Sequence, residues 1–145
     1  MRKALHLIAA TIVGLIVGSV VNMGLINLGA SVMPMPGGAD TTTVEGLKAS
    51  LPLFEPRHFT FPFLAHALGT LAGAIVATLL APGRTSGPAW VVGVAFLVGG
   101  IASVVMLPAP VWFSALDLLL AYLPMAWLGH RLVAAMFPGR RRAAV

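Results

Sequence analysis

Residues 4–26 read ALHLIAATIVGLIVGSVVNMGLI, an apolar run whose only ionisable side chain is His6. Crossing the hydrocarbon of a bilayer takes about 20 mainly apolar residues in a helix. The helix is required because lipid offers no partners for backbone N–H and C=O groups. Three further runs meet the same test, at residues 59–81, 89–107 and 111–136. The whole chain agrees: it is 59% apolar and only 9% charged, where a soluble domain carries about a quarter charged residues. So apolar a surface would aggregate in water. The expected fold is all-α: one membrane domain, residues 1–145, with four transmembrane helices in a bundle and the lipid bilayer as its partner.

The connections order the helices. Leu107-Pro108-Ala109-Pro110 is a tight reversal, since each proline lacks a donor and restricts the residue before it. Residues 81–88, APGRTSGP, form a second turn. The one long connection, residues 33–58, opens with prolines and glycines. It then shows Thr42 three residues before Glu45, the spacing of a capping box. Val44, Leu47 and Leu51 follow at helical spacing, which predicts a short amphipathic helix on the membrane surface, ended by Pro52. Within the fourth span, Pro124 leaves the carbonyl of Leu120 without its helical donor, so a kink is expected.

The net charge is +5, but the basic residues punctuate apolar runs instead of sharing a soluble face, so nucleic acid is not an expected partner. They are topology signals. Arg2, Lys3, Arg84 and the run Arg140-Arg141-Arg142 fall on one side of a four-span arrangement, which places both termini in the cytoplasm and the long loop outside. The terminal arginines read as a stop-transfer flank that also attracts anionic lipid. Arg2-Lys3 before an apolar stretch also describes a signal peptide. The stretch is longer than a signal core of about 7–15 residues and lacks a clean cleavage site, so an uncleaved anchor is expected. The absence of cysteine excludes disulfides, thiolate metal sites and a cysteine nucleophile.

Small residues mark close helix contacts in lipid. Ala10, Gly14, Gly18 and Asn22 recur every four residues in the first span, and Ala65, Gly69, Gly73 and Ala77 do so in the second. Each ridge contains a GxxxG. The two predict a packed pair, within one chain or between copies. Gly99 and Ser103 repeat the pattern more weakly in the third span.

Ionisable residues inside a span are costly and are the best functional pointers in such a chain. His66 lies about seven residues into the second span and Asp117 about six into the fourth from the same side, so both sit roughly 9–11 Å below the outer helix ends at 1.5 Å per residue. The expected site is a polar pocket in which His66 and Asp117 hydrogen-bond, with Asn22 and Thr70 nearby and Glu55, Arg57 and His58 as its rim. An imidazole–carboxylate pair can relay a proton or hold a cation. The competing reading is a structural clamp locking the second helix to the fourth. His6 and His130 share the opposite level, where two imidazoles could carry a haem axially. Both lie beside arginines at the headgroups, where histidine is simply comfortable, so neither cofactor nor metal is expected. Trp90, Trp112, Phe59, Phe61 and Phe63 read as interfacial anchors and packing groups, with Tyr122 and Trp127 deeper, where either could line a pocket for a quinone or lipid tail.

No phosphate loop, HExxH or GxSxG occurs, and the sequence argues against an enzyme. Residues 47–59, LKASLPLFEPRHF, continuing through Phe61-Pro62-Phe63-Leu64-Ala65-His66-Ala67-Leu68-Gly69-Thr70 and joined by Met106-Leu107-Pro108, Leu116-Asp117-Leu118 and Pro124-Met125-Ala126-Trp127, resemble small four-span proteins of bacterial inner membranes. The resemblance implies that location and four helices, and no catalytic role. The function favoured by the sequence is a non-enzymatic subunit that packs against copies of itself or a larger membrane complex. The alternative is a small oligomeric transporter or channel for protons, cations or a small solute, built on the His66–Asp117 pocket.

Overall fold

The backbones of the first and second spans meet almost without side chains between them. In the computed structural model, which describes residues 1–138, α1 (Arg2–Val32) packs along α3 (Thr60–Leu80) in the largest helix interface of the chain. A Cβ at Gly14 would stand 2.7 Å from the Gly73 carbonyl oxygen and from Ala77 Cβ, and one at Gly18 would stand 2.7 Å from the Gly69 oxygen. The relation is reciprocal, with Gly69 against the Gly18 oxygen and Gly73 against the Gly14 oxygen. Helices gain no hydrophobic free energy by leaving lipid for each other, so such close packing has to supply the attraction. Both predicted GxxxG ridges are therefore engaged with each other inside one chain.

Between these helices, α2 (Val44–Ser50) is the amphipathic loop helix. It is followed by 3₁₀ turns at Leu51–Leu53 and Pro56–Phe59. A 3₁₀ turn at Pro82–Arg84, with Gly83 at φ +68°, reverses the chain into α4 (Gly87–Met106). The fourth span is two helices, α5 (Val111–Leu120) and α6 (Leu123–Met136). Among the described residues, four stretches are long and apolar enough to cross a membrane: Arg2–Val32, Pro56–Leu80, Gly87–Met106 and Val111–Met136. The protein is a multi-pass, all-helical membrane protein, with no strand among the described residues. The hub is α3, which touches α1, α4, α5 and α6.

Leu7 and Ile8 of α1 line a surface hollow together with Thr85, Gly87 and Pro88, and the Arg84 guanidinium lies over the Phe137 ring, 3.9 Å from its centroid. The start of α1, the α3–α4 turn and the end of α6 thus share one end of the bundle. The long loop covers the other. Residues 140–142, read from the sequence as a lipid-binding flank, lie outside the described residues.

Three local expectations change. The first helix continues to Val32 instead of ending near Ile26, because nothing breaks a helix before Pro34 and Gly29 docks on Phe61. The cap of α2 is Thr43, whose Oγ1 accepts from the Gly46 N–H at 2.9 Å. Thr42, expected in that role, instead gives its hydroxyl and its amide to Asp40 Oδ1 at 2.6 and 2.9 Å. An aspartate two residues upstream competes for these donors locally. The expected kink is a full break. α5 ends at Leu120, Tyr122 adopts φ −116°, ψ −82°, and Pro124 stands within the first turn of α6.

Two outcomes follow. Gly14→Val should destabilise the bundle by about 1–3 kcal/mol, the usual cost of overpacking, in reversible unfolding from mixed micelles. Gly24→Ala, which meets nothing within 4 Å, should show no loss. The bonds from the Thr42 hydroxyl and amide hold the Asp40 carboxyl below its ordinary range. A lowered folded-state pKa means the Asp40–Thr42 turn contributes stability above the ordinary aspartate range and loses it as the pH falls through the lowered value. Thr42 amide exchange, corrected for its intrinsic acid dependence, should rise in that window, and Asp40→Asn should flatten the rise.

Candidate functional site

Asp117 is 2% exposed, on the face of α5 turned toward α3. A carboxyl group so placed must find donors. One comes from α3: His66 Nδ1 lies 2.9 Å from both carboxylate oxygens. The other comes from beyond the helix break, where the Tyr122 hydroxyl donates to Oδ2 at 2.8 Å. The tyrosine ring is 1% exposed and stacks on the imidazole at a centroid distance of 5.8 Å. In an unbroken helix, residues five apart point about 140° away from each other. The break at Ala121–Tyr122 is what turns the hydroxyl back onto the carboxylate. Space for it comes from α4: a Cβ at Gly100 would stand 2.6 Å from Tyr122 Cζ and collide with its hydroxyl.

Above the triad lies a cavity of about 200 Å³, whose walls include Ile26, Pro62, Gly100, Ser103, Leu107 and Phe113. His66 and Asp117 contribute to its wall, and the loop contributes Leu47, Leu51, Phe54 and His58. The lining holds no lysine, arginine or glutamate. Aromatic packing closes the flank, with the Phe59 and Phe113 rings 4.7 Å apart and Trp112 edge-on to Phe59 at 5.7 Å. A second cavity, about 310 Å³, adjoins the first on the α1 side and shares with it Ile26, Leu47, Phe54, His58 and Pro62.

His58 fixes this partition. The Glu55 N–H donates to its Nδ1 at 2.9 Å, so the ring proton sits on Nε2, which donates to the Pro34 carbonyl at 3.2 Å. One imidazole thereby caps the 3₁₀ turn and ties it to the start of the loop.

The residues expected at the site divide. His66 and Asp117 meet, and His58 joins them at the cavity wall. Thr70 is buried one turn below and gives its hydroxyl to the His66 carbonyl at 2.8 Å, so it serves its own helix and not the pocket. Asn22 packs on Gly69, its Cβ 3.0 Å from where a glycine Cβ would stand, and is absent from the cavity lining. Glu55 and Arg57 pair with each other at 3.0 Å in solvent and also lie off the lining. The sequence reads Tyr122 only as a deep aromatic able to line a pocket, and it does not single out Gly100. Pro124 signalled a break beside Tyr122, but a break alone does not say which way a ring will turn. Gly100 gave no signal beyond being a small residue in a membrane helix.

His6 is exposed, with Nδ1 2.7 Å from the Arg2 carbonyl oxygen. Among the described residues no three His, Asp or Glu side chains gather as metal ligands. Chemically the triad is a hydrogen-bonded Tyr–Asp–His chain that ends on an imidazole nitrogen at a cavity. Such a chain can donate, accept or pass a proton at that nitrogen. Compared with known protein families, curated proteins and solved structures, the chain matches none.

Tyr122→Phe should leave Asp117 one donor short and cost about 1–3 kcal/mol. Asp117→Ala, which removes the acceptor of both the His66 and the Tyr122 bonds, should cost at least as much. The double variant should fall clearly short of the sum in a double-mutant cycle, because the two changes remove one shared bond.

Proposed function

We propose that the chain is a multi-pass subunit of a bacterial inner membrane that binds a small solute in the cavity floored by His66 and Asp117, and exchanges a proton there in the service of transport. One observation carries this reading. Asp117 holds His66 by Nδ1, which leaves Nε2 as the ring nitrogen without a hydrogen-bond partner among the described residues, on a residue that lines the cavity. A clamp between helices needs the first half of that arrangement and has no use for the second. The engagement of both GxxxG ridges inside one chain also removes the sequence argument that they join copies.

Four spans are too few to enclose a solute path, so transport calls for further copies or a partner. The second reading, a non-enzymatic oligomerising subunit, is favoured by Gly99, which has nothing within 4 Å and leaves a flat place on the outer face of α4. The positive-inside rule places the end bearing Arg2, Lys3 and Arg84 in the cytoplasm and the loop-covered cavity toward the periplasm.

Native mass spectrometry from lipid should show a small molecule retained by the wild-type chain and lost from His66→Phe while the bundle stays folded. A chain that never carries an adduct, and that unfolds whenever the pair is altered, would establish the clamp. The lack of cysteine makes orientation easy to test. Lys48→Cys should react with an impermeant maleimide in intact spheroplasts, and Arg84→Cys only after lysis. The reverse pattern would invert the topology.

A further inference from the structure

The first cavity has one exposed side, and that side faces lipid. Among the described residues that line it, Ser103 alone is exposed. Ser103 lies one turn before the end of α4, a helix that crosses the membrane, so at 1.5 Å per residue the mouth sits about 5 Å inside the helix end. The loop side is shut. Leu51, His58 and Phe59 are buried there, Leu47 and Phe54 are half-buried, and His58 is tied to Glu55 and Pro34 through its two ring nitrogens. The adjoining cavity opens elsewhere, at exposed Met35 and Thr41 of the loop and at Asn27 and Ala30 of α1. A solute arriving from water by that way would reach His66 only past His58. One dissolved in the leaflet meets the mouth directly.

We infer that the His66–Asp117 cavity is filled sideways from the bilayer, through the mouth at Ser103, and that its ligand is a small uncharged lipophile bearing one hydroxyl-type group. The wall is chiefly aliphatic and aromatic, without lysine, arginine or glutamate, and a charged ligand would lose its hydration there for little return. An ammonium group would need the carboxylate that His66 and Tyr122 already occupy. The volume of about 200 Å³ exceeds the roughly 150 Å³ that holds a benzene, so the occupant is one ring, or a chain of similar bulk, with a few further atoms. Two polar groups of the wall have bonding capacity to spare. The Ser103 hydroxyl has no hydrogen-bond partner among the described residues, and His66 keeps its Nε2. A ligand hydroxyl both donates and accepts, so it fits His66 before and after the proton exchange proposed above and depends on neither state.

This inference rests on the binding reading above, and one experiment separates the two. The full chain in lipid nanodiscs is titrated with 4-fluorobenzyl alcohol, which dissolves in the bilayer. A parallel titration uses 4-fluorobenzenesulfonate, a permanently charged molecule of similar shape that stays in water. Exchange spectroscopy on ¹⁹F reads the bound fraction and both rates. The alcohol should give a saturable bound resonance and the sulfonate none. A change confined to the bound state appears mainly in dissociation, whereas a narrowed entrance slows both directions. Ser103→Phe should therefore slow association and dissociation together, each by about tenfold, with affinity held within about a factor of two. Ser103→Leu, a smaller plug, should slow both by less. Val105→Phe puts the same ring on the lipid face of α4, at a residue 78% exposed and off the lining, and should leave both rates as in the wild type.

Wild-type rates in Ser103→Phe would overturn the lateral entrance, and binding of the sulfonate would overturn the ligand class. In both cases the cavity still binds, and the reading above survives. A bound resonance from neither probe would bring down the binding reading as well.

Discussion

A carboxylic acid enclosed by helices at the depth of lipid tails tolerates very few surroundings, and most of the upper half of this protein can be understood as meeting its requirements. Asp117 needs donors, and those it finds come from outside its own helix. His66 supplies one across the bundle from α3, and Tyr122 supplies the other from a segment that could reach back only if the helix stopped and restarted. Pro124 makes that stop inexpensive, because a continuous helix would already have lost a bond there. Gly100 clears the volume that the tyrosine hydroxyl occupies. Four residues on three spans are coupled through one functional group.

The lower and lateral packing obeys a different constraint. Where side chains are absent, α1 and α3 approach until the carbonyl of one lies on the glycine of the other. That leaves α3 enclosed and α1 mostly facing lipid: 44% of the most apolar stretch of the α3 span is buried, against 17% for α1. The functional groups sit on the enclosed helix and its partners, and α1 acts as a wall. The division suits a membrane protein, in which polar groups must be surrounded by protein while apolar surface can be left to the solvent.

Much of this was legible in the residues. Length and hydropathy mark four spans, because a bilayer imposes a minimum length that few other environments do. The meeting of His66 and Asp117 follows from equal depth on adjacent helices and from the cost of leaving either alone. Features that depend on rotation about a helix axis were not legible. Thr70 shares a helix face with His66, yet its hydroxyl turns back to the carbonyl one turn above, a local bond that competes with any outward one. Asn22 has the right height but serves the glycine contact. Thr42 and Thr43 offer almost the same capping chemistry, and the choice went to Thr43 because Asp40 occupies its neighbour. Tyr122 was the hardest of all, since its direction is set by a backbone break whose dihedral angles composition does not encode.

The length of α1 has a mechanical consequence. Thirty-one helical residues extend about 46 Å at 1.5 Å each, well beyond the roughly 30 Å of hydrocarbon in a bilayer. Such a helix must lean or project, and the lean varies with membrane thickness. Its far end is not idle, because Gly29 rests on Phe61 and the neighbouring Ala30 and Met33 form part of the second cavity's wall. A thicker or thinner leaflet therefore acts on that compartment through a rigid lever, and the dimensions of the lipid become part of the dimensions of the chamber.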